Sequence, residues 1–139
     1  MNTYTDIRYT AETIETLLPE RVRSKRLAHI RRVTELIVEL AERFSVDTER
    51  ARLAALSHDM DRDLPTKRAY DLVEEWNIAI IPVEREHPKM LHGAITAERL
   101  RREYGLDDRS IITAVRHHTL GHPDLDDLGL SLFVADYCE

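Results

Sequence analysis

The sequence predicts an all-α protein of one domain, and three observations carry that expectation. Glycine and proline are scarce, at four and five residues in 139, so few positions break a helix. Apolar residues recur at spacings of three and four over most of the chain, the period of a helix with one buried face. One run reads as a strand, Ile78, Ile80 and Ile81, but Pro82 and Pro88 follow it and no second strand is there to pair with it. A length of 139 residues suits a single domain that buries roughly two thirds of its unfolded surface. With 42% apolar residues the core needs no disulfide. No repeat, low-complexity stretch or linker divides residues 1–139, although about 1–23 reads as an N-terminal helical segment ahead of a core over 24–139.

Charge and composition exclude several functions. The chain has 26 carboxylates against 20 Lys and Arg, a net charge of −6. That balance argues against general nucleic-acid binding, which relies on basic surface to release counterions. It leaves room for a small phosphorylated ligand, because a bound cation reverses the local sign. Cys138 is the one cysteine, so no intrachain disulfide forms and a cytoplasmic setting is expected. No apolar run approaches the roughly 20 residues of a membrane span. Residues 1–6 lack the basic and apolar regions of a signal peptide.

The first segment runs from about Thr10 to Val22, with Ile14, Leu17, Leu18 and Val22 on one side, and Pro19 is expected to split it in two. Ser24 reads as the N-cap of a longer helix ending near Phe44. Leu27, Ile30, Thr34, Ile37, Ala41 and Phe44 form its apolar stripe, and His29 lies at the stripe's border, one turn above Arg26. Asp47 caps the next helix, whose alanines at 51, 54 and 55 permit close helix approach and whose end is His58-Asp59. A charged turn follows. Pro65 opens a helix with Ala69, Leu72, Val73 and Trp76 inside. Asn77 to Lys89 reads as a loop held by two prolines. Leu91-His92-Gly93 begins a helix that stops at Gly105. Asp107 or Asp108 caps another that reaches His117-His118-Thr119. The last starts near Leu125 and carries Asp136 in an apolar stretch, where a carboxylate is costly to bury unless paired or bound to a cation.

Helix ends and borders thus offer His29, His58 with Asp59, His92, His118 and Asp136. Each alone has an ordinary structural reading, such as a half-buried histidine packed against its neighbours. Five separate helices offering imidazole or carboxylate in similar contexts are harder to explain that way. Together these donors suit Zn, Fe, Mn or Co. His58 and Asp59 point about 100° apart on a helix, so the carboxylate can reach a place that the histidine does not. No H-E-x-x-H, Ser-His-Asp elbow or phosphate-binding glycine loop is present. His117 precedes a candidate ligand and is expected to point elsewhere, while His87 and His122 lie beside prolines in loops and read as exposed.

Arg26-x-x-His29, His58-Asp59 and a late Asp136 resemble the HD-domain superfamily of metal-dependent phosphohydrolases, whose minimal ligand set is H…HD…D. Leu91-His92-Gly93, His118-Thr119-Leu120-Gly121 and Ala135-Asp136-Tyr137-Cys138-Glu139 narrow the likeness to its YqeK-type branch of symmetrical diadenosine tetraphosphate hydrolases. The resemblance runs from about Ser24 to the end of the sequence. It implies an HD-type helical bundle with the metal site between helices. It also implies that His29, His58, Asp59 and Asp136 hold one metal and that His92 and His118 hold a second, with Asp59 bridging. The two ions are usually read as iron in this branch, with Mn, Co, Zn or Mg as alternatives. Thr119 and Gly121 would then sit by the substrate phosphates.

Two departures stand out. Arg62 occupies the position, four residues after the motif histidine, where the branch commonly has lysine, and a guanidinium grips phosphate differently from an ammonium. The branch also continues past its Asp-Tyr-x-Glu stretch, so any substrate wall or dimer surface supplied by that tail is expected to be missing.

The mechanism implied is attack on phosphorus by a metal-activated hydroxide, in line with the leaving phosphate oxygen. Asp59 then acts as the catalytic bridge, with Arg26 and Arg62 on the phosphate charge. An arginine on a solvated helix face is the competing reading for both. The expected partner is a small nucleotide; a homodimer stays open. Two other readings remain. One is an HD phosphohydrolase on a nucleoside monophosphate or a cyclic dinucleotide. His92 and His118 argue against the first, and Gly121-His122-Pro123, where Gly-Tyr-Pro would be expected, against the second. The other reading is a metal-stabilised, non-catalytic nucleotide-binding module.

Overall fold

The computed structural model describes residues 9–139. The signal-peptide reading of residues 1–6 and the start of the 1–23 segment lie outside the described residues. The helices are α1 (Ala11–Arg21), α2 (Ser24–Arg43), α3 (Thr48–Ser57), α4 (Thr66–Glu75), α5 (Pro82–Glu86), a 3₁₀ turn (Pro88–Leu91), α6 (His92–Glu103), α7 (Arg109–Arg116) and α8 (Asp127–Cys138). No strand occurs among the described residues, as the all-α expectation requires.

α3 is the hub of the fold. It packs against α1, α2, α7 and α8, and its sequence explains how four helices fit around ten residues. Ala51, Ala54 and Ala55 are completely buried, and methyl side chains let neighbouring backbones approach closely. Asp47 caps its start by accepting from the Arg50 amide at 3.0 Å, which satisfies one of the orphan donors there. Ile30, Val33 and Ile37 of α2 pack into the same core, with Leu128 and Leu132 of α8. Each large side chain buried this way contributes about 1.5–3 kcal/mol. A smaller cluster joins α4 to α6 through Ala69, Leu72, Val73, Leu91 and Ile95.

Several local expectations change. α1 is one helix, with Pro19 inside it. Pro19 removes only the bond to the carbonyl of the exposed Glu15, which solvent can satisfy, while Ile14 and Leu18 ahead of it stay buried. Arg23, not Ser24, is the N-cap of α2. The Asp63 carboxylate takes the Arg23 amide at 2.9 Å, so the helix starts at Ser24 itself. Phe44 leaves the apolar stripe and is 62% exposed.

The stretch expected as a loop over Asn77–Lys89 holds α5 and the start of the 3₁₀ turn. Each of these opens on a proline, where the missing amide costs nothing. The Glu84 carboxylate secures α5 by accepting from the Ile81 amide at 3.0 Å and from Arg116 at 2.8 Å. Asp108 is the cap of α7, which ends at Arg116, so His118 lies in the turn after it. Asp126 caps α8, which starts two residues later than expected.

Candidate metal centre

The fold gathers one residue from the middle of α2 and four helix ends at one point. His29 projects from α2; His58 caps the end of α3 and Asp59 follows it. His92 opens α6, His118 follows α7, and Asp136 lies in the last turn of α8. The α6–α7 approach is set by Gly93. A Cβ there would lie 2.9 Å from the Arg116 carbonyl and 3.0 Å from that of Val115, so only glycine lets His92 come so close to His118.

All six candidate ligands meet, in two sets. His29, His58, Asp59 and Asp136 form one; Asp59, His92 and His118 form the other. Asp59 belongs to both because its oxygens face opposite ways. Oδ2 lies 3.5 Å from His29 Nε2 and 3.5 Å from His58 Nε2. Oδ1 lies 3.0 Å from His92 Nε2 and 3.3 Å from His118 Nε2. Asp136 Oδ1 closes the first set at 2.9 Å from His29 and 3.4 Å from His58.

Three of the rings are oriented by backbone carbonyls. Nδ1 of His58 donates to Ala55 at 2.6 Å, that of His92 to Lys89 at 2.7 Å and that of His118 to Val115 at 2.7 Å. His29 Nδ1 has the Glu139 carboxylate at 3.4 Å, and Arg32 steadies Glu139 at 2.6 Å. Such partners fix the tautomer and leave Nε2 for a metal. His58 Nε2 is buried with no hydrogen-bond partner. The Nε2 atoms of His92 and His118 are 3.0 Å apart and both converge on Asp59 Oδ1, so the three donors face one point. The residues therefore fit metal binding, in two donor sets that share Asp59.

The charges agree. Burial opposes ionisation of Asp59, but His58, His118 and His92 outweigh it and hold its carboxyl well below the usual range. Asp136 is likewise held low, by His29 and His58 against burial. Burial disfavours the His58 cation, yet Asp59 and Asp136 raise its pKa to about 9. Burial pushes His118 down, with Asp59 opposing. Both carboxylates thus stay ionised, Asp59 in a buried place and Asp136 in a half-buried one, the condition under which a cation is bound rather than merely tolerated.

The substrate candidates separate into two places. Arg26 and Arg62 line a cleft of about 470 Å³ that also reaches His92, and Arg26 Nη1 is 3.4 Å from Asp59. Thr119 and Gly121 line a smaller cavity of about 160 Å³ with His117 and His122. His117 and His122 stack at 4.2 Å, and His87 is exposed.

Sequence reasoning missed two residues. Glu139 stood in a quoted motif without a role. Asp61, inside the charged turn, is buried and accepts from Arg21 at 2.9 Å, Thr96 at 3.0 Å and Arg99 at 3.0 Å; nothing local distinguishes it from an exposed turn aspartate.

A model of the HD domain matches residues 26–139. The chain belongs to the HD domain family. Two curated relatives are named bis(5'-nucleosyl)-tetraphosphatase, symmetrical. One, from Staphylococcus aureus, is 29% identical over 92% of this chain and 66% of its own length. The other, from Bacillus subtilis, is 30% identical over 86% of this chain and 64% of its own length. The chain thus spans just under two thirds of these relatives. A crystal structure of a predicted HD superfamily hydrolase involved in NAD metabolism, from Clostridium acetobutylicum, superposes with a TM-score of 0.86. It is 27% identical, over 93% of this chain and 68% of that one.

Proposed function

We propose that this HD domain is a metal-dependent phosphohydrolase of nucleotides, with diadenosine tetraphosphate, cut symmetrically to two ADP, as its substrate. The observation that carries the reading is Asp59 shared between two ligand sets, with its two oxygens turned to different imidazoles. The names of the relatives support the substrate. His29, His58, Asp59 and Asp136 would hold one ion, and Asp59, His92 and His118 a second. Iron is the proposed metal and the cytoplasm the proposed setting. Among the described residues no helix is long and apolar enough to cross a membrane.

Cations bound there supply Lewis acidity toward a phosphoryl oxygen and lower the pKa of water. The protein's own residues do the rest. Asp59 stays ionised and fixes the spacing of the two halves. Arg26 and Arg62 face the cleft beside His92 and offset charge on the phosphate oxygens. Thr119 and Gly121, which line the smaller cavity, are also assigned to the phosphates. Water's oxygen bonds to one central phosphorus, the central P–O–P bridge breaks, and the bridging oxygen leaves with the other ADP.

The deciding experiment is metal analysis beside an assay for ADP released from diadenosine tetraphosphate. About two ions per chain with ADP as sole product are expected. Two ions without turnover would keep the site and move the substrate elsewhere, toward the binding-module reading. A protein that binds no metal after reconstitution would end the proposal.

A further inference from the structure

The cleft beside His92 has more cations than the hydrolysis step uses. Arg23 and Lys89 line it together with Arg26 and Arg62. The chain has six more carboxylates than Lys and Arg (26 against 20), so cations facing one cleft should readily find partners. Yet Arg23, Arg62 and Lys89 make no side-chain ion pair among the described residues. Arg26 Nε is buried and has no hydrogen-bond partner. Its guanidinium touches Asp59 only at 3.4 Å, leaving that edge without an acceptor. A buried donor of this kind costs free energy until an acceptor arrives. Of the two carboxylates in the cleft, Asp61 is already saturated by Arg21, Thr96 and Arg99, and Asp63 takes the Arg23 amide. The cleft's about 470 Å³ falls in the range of small-ligand sites, about 300–1,000 Å³, and it opens on a metal-ligand candidate.

We propose that this cleft is an oligophosphate subsite, in which Arg23 and Lys89 grip the phosphates beyond the one at the metal centre and make binding depend on phosphate-chain length. The proposal rests on the phosphohydrolase reading for the phosphate at the centre itself. Lys89 has two separate parts in it. Its backbone carbonyl orients His92, and the residue lines the cleft with its side chain exposed and free of any ion pair among the described residues. A side-chain substitution therefore tests the grip without disturbing the ligand.

The test is equilibrium binding of AMP, ADP and ATP to the metal-loaded protein at fixed ionic strength, with metal content measured before and after. It needs no turnover, so a failure of the hydrolase reading appears separately, as absent ADP release. Wild type should bind more tightly as the chain lengthens. The double variant Arg23→Gln, Lys89→Gln should weaken ATP about tenfold or more, as expected for lost charged contacts, and AMP less than about twofold, with metal content unchanged. As a control, Lys25→Gln, Arg31→Gln removes two exposed cations from outside the cleft and should leave the chain-length dependence intact. The proposal is overturned if wild type shows no chain-length dependence, if the double variant weakens all three nucleotides equally, or if the control pair has the same effect.

Discussion

Asp59 shares its two oxygens between two sets of imidazoles, and the consequences of losing it differ from those of losing any histidine. Asp59→Ala should remove both ions together, whereas His92→Ala should remove one and leave the His29, His58, Asp59, Asp136 set. Metal analysis of the two variants checks this, and loss of a single ion from Asp59→Ala would end its role as bridge. His58 adds a pH dependence. With its pKa raised to about 9 by Asp59 and Asp136 against burial, it carries a proton near pH 7.5 in metal-stripped protein. A metal ligand must be neutral, so metal uptake should release about one proton from this ring, and affinity should climb with pH up to about 9. The sign for stability is opposite. A raised folded pKa stabilises the stripped protein below about pH 6.5, and that contribution fades as pH rises through about 9. Titration calorimetry in buffers of different ionisation enthalpy would read the proton, and uptake with no proton released near pH 7.5 would sink the assignment. The six candidate ligands were legible in the sequence because each is a donor-type side chain at the end or border of an apolar stretch. Asp61 was not, since its two arginines and its threonine arrive from α1 and α6, 35–40 residues away.

Helix ends carry the site, so the elements that set their spacing matter as much as the ligands. Gly93 lies against the last carbonyls of α7. Gly93→Ala should force α6 from α7 and cost about 1–3 kcal/mol, as overpacking does. The displacement falls between His92 and His118, so their ion should be lost while the other is retained. A variant with normal Tm and both ions would show that the close approach is dispensable. Asp61 ties the turn that carries Asp59 to α1 and to α6. Asp61→Ala strands Arg21, leaves Arg99 with Glu103 alone, and should destabilise the fold by about 3 kcal/mol, at the low end for a broken buried pair because Arg21 is partly exposed and Arg99 keeps that partner. Urea unfolding checks that figure, and a change within about 0.5 kcal/mol, the scale of an ordinary surface substitution, would mean the network does no structural work. Helix existence was readable from periodicity for every α-helix but α5, while ends were not. The α2 cap depended on Asp63, forty residues on, and the helical character of the 77–89 stretch depended partly on Arg116 reaching Glu84.

The molecule as a whole is organised about α3, and its outermost described anchor on that helix is Tyr9. No periodicity marked Tyr9 in advance, because its partners lie on α3, more than forty residues away. Its hydroxyl donates to the Leu53 carbonyl at 3.2 Å and lies 3.1 Å from Ser57 Oγ, one residue before His58. Burial pushes its pKa above the ordinary phenol range, with Ser57 opposing and the charge of Asp108 adding to the rise. The unfolded phenol ionises near pH 10 while the folded one keeps its proton. Tyr9 therefore contributes its full stability below about pH 10 and loses it progressively above, where the unfolded state gives up a proton that the folded state retains. Thermal unfolding followed by circular dichroism from pH 8 to pH 11 should show wild type losing stability more steeply than Tyr9→Phe above pH 10. At pH 8 the variant should be weaker by about 1 kcal/mol, the value of a lost hydrogen bond. Parallel curves for the two proteins across the alkaline range would mean that Tyr9 leaves its place before it ionises, and that the segment it anchors is not held to α3 through this hydroxyl.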